Sequence, residues 1–177
     1  EEDWIPASAG MTDGLKVCIL EKGAAVGAHL LSGAVLEPRA LDELFPDWKE
    51  RGAPVTRSVT SDSFYYMTKS RAIRLPNPPT MNNHGNYIIS LGALGAWMAQ
   101  QAESLGVEIY PGFAAAEILR DDNGIVRGVA TGDMGISKTG ERTAAVTPGV
   151  EIHARQTILA EGCHGSLAKQ IINLFNL

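Results

Sequence analysis

What this sequence lacks narrows the field first. It has two cysteines, Cys18 and Cys163, far apart and without paired spacing. A disulfide framework, a zinc site or a four-cysteine iron–sulfur site cannot be assembled from two such thiols, and a reducing compartment is the default. Cations are the minority: 15 Lys and Arg stand against 20 Asp and Glu, for a net charge of -5. They are scattered rather than striped, which argues against a nucleic-acid partner. No apolar run approaches the roughly 20 residues that a membrane-spanning helix needs. There is no Ser–His–Asp or Cys–His grouping, no pair of carboxylates for proton transfer, no internal repeat and no low-complexity stretch. A G-x-G-x-x-G turn after an opening strand is also missing, since Gly10 and Gly14 have neither that spacing nor a strand before them.

What remains is an ordinary globular composition, 45% hydrophobic and 20% charged over 177 residues, long enough for one domain with a sizeable core. Residues 1–15 mix Trp, Pro, Gly and acids without a period. They lack the basic and apolar regions of a signal peptide and the Arg-rich character of a transit peptide. They read as an unstructured or non-native leader, with a plain flexible tail as the alternative.

Lys16 to Leu20 is an apolar run closed by Glu21, the pattern of a buried parallel strand. Glycines punctuate the next loop, and Ala40 to Trp48 reads as a short helix between Pro38 and Pro46. Val55 to Thr68 is rich in β-branched and aromatic residues, and Pro76, Pro78 and Pro79 force an irregular connection. Leu91, Leu94, Met98, Ala102 and Leu105 step by three or four along a helix that Gly106 closes. Val107 to Tyr110 is then a strand. Glu117–Leu119 and Ile125–Ala130 flank an Asn123-Gly124 hairpin signal. Gly132 to Thr147 reads as a hairpin extension or loop. Gln156 to Ala160 reads as another buried strand, running into a glycine turn and a helix with Leu167, Ile171 and Leu174 on one face.

Three features carry chemistry. Glu21 ends a strand where dinucleotide folds place an acid against the adenosine ribose, because a carboxylate offers two acceptor oxygens and no donor; a solvated Glu at a strand end looks the same. Gly162 and Gly165 bracket a strand-to-helix turn whose amides could approach a phosphate, with Ser166 as a helix cap or a phosphate contact; a plain capped turn is the alternative. The order of parts is the third: strand with acid, long insert, helix, strand, hairpin layer, returning strand, glycine turn. It matches two-domain flavoenzymes. His84 reads as a turn histidine or a cleft-lining group, and His153 as a solvated one.

The stretches EKGAAVGAHLLSGAV, ELFPDWKERGAP, MNNHGNYIISLGALGAWMAQQAESLGVEIYPGFAAAEIL and ILAEGCHGSLAKQ resemble the electron-transfer-flavoprotein:ubiquinone oxidoreductase family, across essentially Lys16 to Leu177. The resemblance implies an α/β, FAD-binding Rossmann-like fold of the glutathione-reductase type, truncated at its N-terminus, with an antiparallel β layer. It implies a partial FAD-binding domain over residues 16–177, with a quinone- or membrane-facing insert at about 50–90. In that family, electrons pass from reduced electron-transfer flavoprotein to ubiquinone through FAD and a 4Fe-4S cluster, whose ligands this chain does not carry. By position, Glu21 would bind the FAD ribose. Gly27, Ala28, His29, Ser32 and Gly33 would lie on the flavin side, Ala114 or Ala115 on the adenine side, and Gly162 with Gly165 at the pyrophosphate.

The resemblance also implies a peripheral place on a membrane, the cytoplasmic face of a bacterial inner membrane or the mitochondrial inner membrane. Residues 64–79 (FYYMTKSRAIRLPNPP) are similar to a membrane-touching surface of the family; an exposed hairpin with a few basic residues is the plain alternative. Two other readings stand beside it: a related FAD-dependent dehydrogenase or geranylgeranyl-reductase-like protein, and a non-catalytic gene fragment. A missing opening strand would leave backbone groups of the neighbouring strand unpaired at about 1–3 kcal/mol each, against a total stability of ~5–15 kcal/mol. The expectation is a chain that binds FAD weakly or not at all and is inactive alone.

Overall fold

A computed structural model describes residues 16–136 and 142–177, so the expected leader at 1–15 lies outside the described residues. In chain order the elements are β1 (Cys18–Glu21), β2 (Ser32–Leu36), α1 (Arg39–Leu44), β3 (Arg57–Ser58), β4 (Phe64–Met67), β5 (Ala72–Leu75) and a 3-10 turn at Pro79–Met81. There follow β6 (Tyr87–Ser90), α2 (Leu91–Ser104), β7 (Glu108–Pro111), β8 (Ala115–Arg120), β9 (Val126–Thr131), β10 (Met134–Ile136), β11 (Arg142–Thr147), β12 (Glu151–His153) and α3 (Ser166–Phe175). The chain divides into two compact units, one formed by residues up to Ala25 together with Glu103–Leu177, the other by Val26–Ala102.

In the first unit, β1 and β7 pair in parallel, with Glu21 opposite Pro111. Around β9 a three-stranded antiparallel sheet forms in the order β12-β9-β8, and β10 pairs antiparallel with β11, as a hairpin extension would, while residues 137–141 between them lie outside the described residues. α3 lies on β8, where the Gln170 side-chain amide donates to the Ala116 carbonyl at 2.9 Å. The Asn-Gly signal sits in a five-residue connection between strands rather than a two-residue turn. Gly124 supplies a φ of +80° there, and Asp121 Oδ1 accepts from the amides of Asn123 (3.0 Å) and Ile125 (2.9 Å). These bonds, the Ile125 amide foremost, hold the Asp121 carboxyl below its usual range, with help from Arg127.

Two sequence expectations fail in this unit. β1 forms, but Val17 and Ile19 are 38% and 42% exposed. A parallel strand is buried only when both its edges and both its faces are covered, and among the described residues only β7 pairs with β1. Gln156–Ala160 forms no regular element, with Ile158 81% exposed. Its apolar composition suits a strand, yet no ladder partner lies beside it among the described residues.

The second unit holds the main core. β2 and β3 flank β6 in an antiparallel sheet. Leu41, Trp48, Ala53, Val55, Ile89, Leu94 and Trp97 are buried together. Phe45 meets Trp97 edge-on at 5.3 Å, and Trp48 meets Tyr87 at 5.7 Å. Both buried indoles find acceptors: Trp48 donates to Asp42 Oδ1 (2.6 Å) and Trp97 to the Arg51 carbonyl (3.2 Å). α1 stops at Leu44, four residues earlier than the sequence suggests, because Pro46 disfavours helical backbone at Phe45. Trp48 then reaches the core from a turn. α2 contains neither proline nor a β-branched residue; the Ser90 hydroxyl accepts from the Ala93 amide at its start, and Gly106 ends it with φ +86°. Its buried side chains are Leu94 and Trp97. Met98 and Leu105 of the expected stripe are 39% and 60% exposed, because the aromatic cluster draws Trp97 inward instead.

Trp97→Ala should therefore lower the unfolding free energy by about 3–5 kcal/mol, whereas Met98→Ala should change it by roughly 0.5 kcal/mol or less; urea titration followed by circular dichroism separates the two. Equal losses would put Met98 back in the core.

Candidate functional site

The site begins at the carboxyl end of β1, where open α/β sheets bind their ligands. Glu21 is half-buried, and its Oε1 accepts from the Gly23 amide at 2.5 Å. Gly23 is buried, and its carbonyl accepts from the Gly112 amide at 2.8 Å in the loop after β7. The parallel ladder and this loop-to-loop bond fix the carboxylate at the sheet's edge. One oxygen is partly committed, and a carboxylate with about four lone-pair sites keeps capacity for a vicinal diol. On β7 the Tyr110 hydroxyl donates to Glu108 Oε2. That bond, reinforced by burial and by the Glu108 charge, pushes the phenol up to about 12.

In the same unit, Ala114 is exposed and its carbonyl accepts from Gly132 at 3.2 Å, while Ala115 opens β8 opposite Thr131. Gly162 is a left-handed turn residue, φ +75°, with open space where a side chain would sit. Gly165 is buried at the start of α3. The expected Ser166 cap is absent: no side-chain cap bond forms from the N-cap position, which Gly165 occupies. Instead Glu161 Oε2 accepts from the Ala168 amide at 3.0 Å, so a carboxylate stabilises the positive end of the helix. A β-carbon at Gly165 would fall 2.6 Å from that same oxygen. The glycine is required here by the chain's own acid.

The remaining candidates belong to the second unit. Gly27 (φ +85°) accepts from the Leu30 amide at 3.1 Å, Ala28 and His29 are exposed, and Ser32 and Gly33 lie at an irregular start of β2. Sequence reasoning missed what holds this loop. A β-carbon at Gly27 would collide with the Gly92 carbonyl, and one at Gly92 would lie 2.8 Å from the Gly27 oxygen. Gly95 leaves room for Leu30. The signal was available in the spacing of Gly92 and Gly95 on the first turn of α2. Within the NNHGNY stretch, Asn83 clamps Asp62 through its side chain (2.7 Å) and its amide (3.0 Å); the first and then the second hold the Asp62 carboxyl below its usual range. His84 lines a cleft of about 190 Å³ beside Asp62, Asn77 and Asn82, and exposed His153 faces Glu151 at 3.1 Å. Cys18 and Cys163 are exposed, and among the described residues no group of three or more His, Cys, Asp and Glu could hold a metal ion.

An acid at the end of a parallel strand, an antiparallel layer and a glycine turn into a helix define a mixed α/β architecture. Solved structures agree on the fold: Thermovibrio ammonificans THI4 matches with a TM-score of 0.55 at 16% identity, over 93% of this chain and 55% of that one. A geranylgeranyl bacteriochlorophyll reductase-like protein of Thermoplasma acidophilum matches with a TM-score of 0.52 at 19% identity, over 81% and 32%. The class that the fold defines is a Rossmann-like one, mixed α/β with antiparallel sheets.

No family model matches the chain. Curated relatives are more specific. The chain is 58% identical over 163 residues to the mitochondrial electron transfer flavoprotein-ubiquinone oxidoreductase of Dictyostelium discoideum. It is 57% identical over 168 residues to that of Pseudomonas aeruginosa, and 56% over 165 residues to the human one. Each match covers 92% of this chain, and the chain spans 27–30% of the length of those relatives. It belongs to the electron transfer flavoprotein-ubiquinone oxidoreductases, as a part of their length.

Two tests follow. Gly92→Ala should destabilise by about 1–3 kcal/mol through overpacking, although alanine is the better helix former by roughly 1 kcal/mol; a gain in thermal stability would mean that the Gly27 contact is absent. Since Tyr110 holds its proton to about 12 while an unfolded tyrosine releases it near about 10, its contribution is fully present below the lower value and lost as pH rises through the upper one. Tyr110→Phe should flatten that part of the stability-against-pH curve, and an unchanged slope would count against the bond.

Proposed function

We propose that this chain is the ribose-binding and flavin-side segment of a flavoprotein that passes electrons from reduced electron transfer flavoprotein to ubiquinone. The observation that carries the reading is identity of 54–58% over 92% of the chain to relatives of that name. FAD fits one end of the site and not the other. Glu21 suits the ribose hydroxyls, with Ala114 or Ala115 toward the adenine, and Gly162 leaves its backbone open to approach. At the pyrophosphate end, the amide of Ala168 is already taken by Glu161, so an incoming anion there meets a carboxylate.

Gly27, Ala28, His29, Ser32 and Gly33 form the flavin-side loop in this reading, held by Gly92. FAD supplies the redox chemistry when bound; the residues of this chain bind, orient and shield it, which is why no acid–base pair is needed. A 4Fe-4S cluster belongs to the longer relatives in this proposal, not to Cys18 or Cys163. The β4–β5 ribbon, within the insert at about 50–90, contributes the surface that meets a bilayer and the quinone dissolved in it, on a bacterial or mitochondrial inner membrane. No described helix is long and apolar enough to cross a membrane.

Residues 16–177 exchanged for the corresponding segment of the Pseudomonas aeruginosa relative should retain FAD and quinone reduction by reduced electron transfer flavoprotein. Glu21→Ala in that chimera should weaken FAD binding by roughly tenfold or more, the loss of charge-assisted hydrogen bonds of about 1.5–3 kcal/mol. The 177-residue chain alone should bind FAD weakly. A chimera that folds with FAD but transfers no electrons to quinone sinks the functional reading, and a chain that purifies yellow on its own sinks the incomplete pyrophosphate end.

A further inference from the structure

The β4–β5 ribbon has a charge pattern that its membrane-facing role does not by itself require. The chain as a whole is acidic, yet from Ser63 through Ala102 there is no Asp or Glu at all. The cations in that stretch are Lys69, Arg71 and Arg74, and all three belong to the ribbon or its turn. Arg39, Arg51 and Arg127 elsewhere are each paired with a carboxylate. Among the described residues, no ion pair involves Lys69, Arg71 or Arg74.

The register sorts the ribbon's faces. Phe64 lies opposite Leu75 and Tyr66 opposite Ile73, while Tyr65 lies opposite Arg74 and Met67 opposite Ala72. Directly paired residues share a face, so Phe64, Tyr66, Ile73 and Leu75 make one wholly apolar and aromatic face, and Arg74 sits on the other beside Tyr65 and Met67. Every residue of both strands is exposed, with Tyr66 at 60% and Met67 at 69% next to the turn. The turn is fixed: the Thr68 hydroxyl accepts from the Arg71 amide at 2.9 Å, and the Thr68 amide donates to the Arg71 carbonyl at 2.8 Å. Lys69 and Arg71 are thereby held at the tip, beside the most exposed apolar side chains of the ribbon.

Resting on the reading that this ribbon meets a bilayer, we infer that it selects membranes carrying anionic phospholipid. Tyr66, Met67 and Ile73 enter the headgroup boundary, while Lys69, Arg71 and Arg74 hold lipid phosphates. Aromatic and apolar side chains bind any bilayer interface. Three unpaired cations add a headgroup-charge dependence, because a basic side chain near an anionic leaflet gains attraction that fades within a Debye length. The absence of any carboxylate in the stretch leaves nothing on the ribbon to offset it.

Sedimentation of the 177-residue chain with phosphatidylcholine vesicles, with and without phosphatidylglycerol, tests this. Three cations should raise partitioning onto the anionic vesicles by about a hundredfold, and molar salt should abolish that preference. Lys69→Gln, Arg71→Gln and Arg74→Gln together should remove the preference yet keep the weak binding to phosphatidylcholine. Tyr66→Ser with Ile73→Ser should weaken binding to both vesicles. As a control, Arg120→Gln, Arg155→Gln and Lys169→Gln, exposed in the other unit, should keep most of the preference. Equal binding to both vesicles, or an equal loss in the control, overturns the selectivity and leaves the bilayer reading standing. Binding to neither vesicle overturns both, and points to a protein partner for the ribbon.

Discussion

The parallel ladder between β1 and β7 is the constraint on which the first unit depends. Parallel strands cannot be joined by a tight turn, so the chain must leave the end of β1, travel and return before β7 can pair. The loops that follow both strands then emerge at one edge, where the Gly112 amide bonds to the Gly23 carbonyl. Glu21 owes its position to that arrangement. Shifted by one residue, its side chain would move to the opposite face of the strand, and the carboxylate would no longer stand beside the Gly23 amide.

Both acids that matter to the candidate site, Glu21 and Glu161, spend acceptor capacity on backbone amides of their own chain. The chemical consequence differs between them. Glu21 is oriented by its bond and remains suited to hydroxyl donors. Glu161 satisfies an amide of α3 and places the protein's own negative charge at the start of that helix. The two ends of the candidate site thus stand in unlike states. The loop from Gly27 to Gly33 is organised by a third device, glycine-to-glycine contact, which works through closeness of backbones and involves no charge at all.

Local signals made much of this legible in the sequence. The apolar run ending in Glu21, the long helix closed by Gly106 and the hairpin around Asp121 to Gly124 each depend on neighbouring residues, and each was found near its expected place. What was misread depends on partners remote in sequence. Gln156–Ala160 has a strand's composition but no described strand to pair with, and pattern alone does not reveal the lack of a ladder. The buried side of α2 was misjudged at Met98 because Phe45, some fifty positions earlier, turns Trp97 inward. Ser166 looked like a cap, yet a carboxylate five residues before it reaches the helix amides instead. The family was readable from whole words such as NNHGNY and AEGCHG. Their physical content, an Asp62 clamp and a Glu161 cap, appears only in three dimensions.

The Gly27–Gly92 contact also bears on how the chain comes to fold. β1 and β7 are separated by the whole second unit, and a flexible connection of that length carries a closure cost that grows with the logarithm of its length. The second unit is contiguous in sequence and holds the main aromatic core, so it can form before the ladder does. Once Gly27 rests against Gly92, the long excursion is short-circuited at its base, and α2 spans most of the way to β7. Were that contact to form first, two hydrogen side chains would act as a clasp that turns a search over a long loop into a search over a short one.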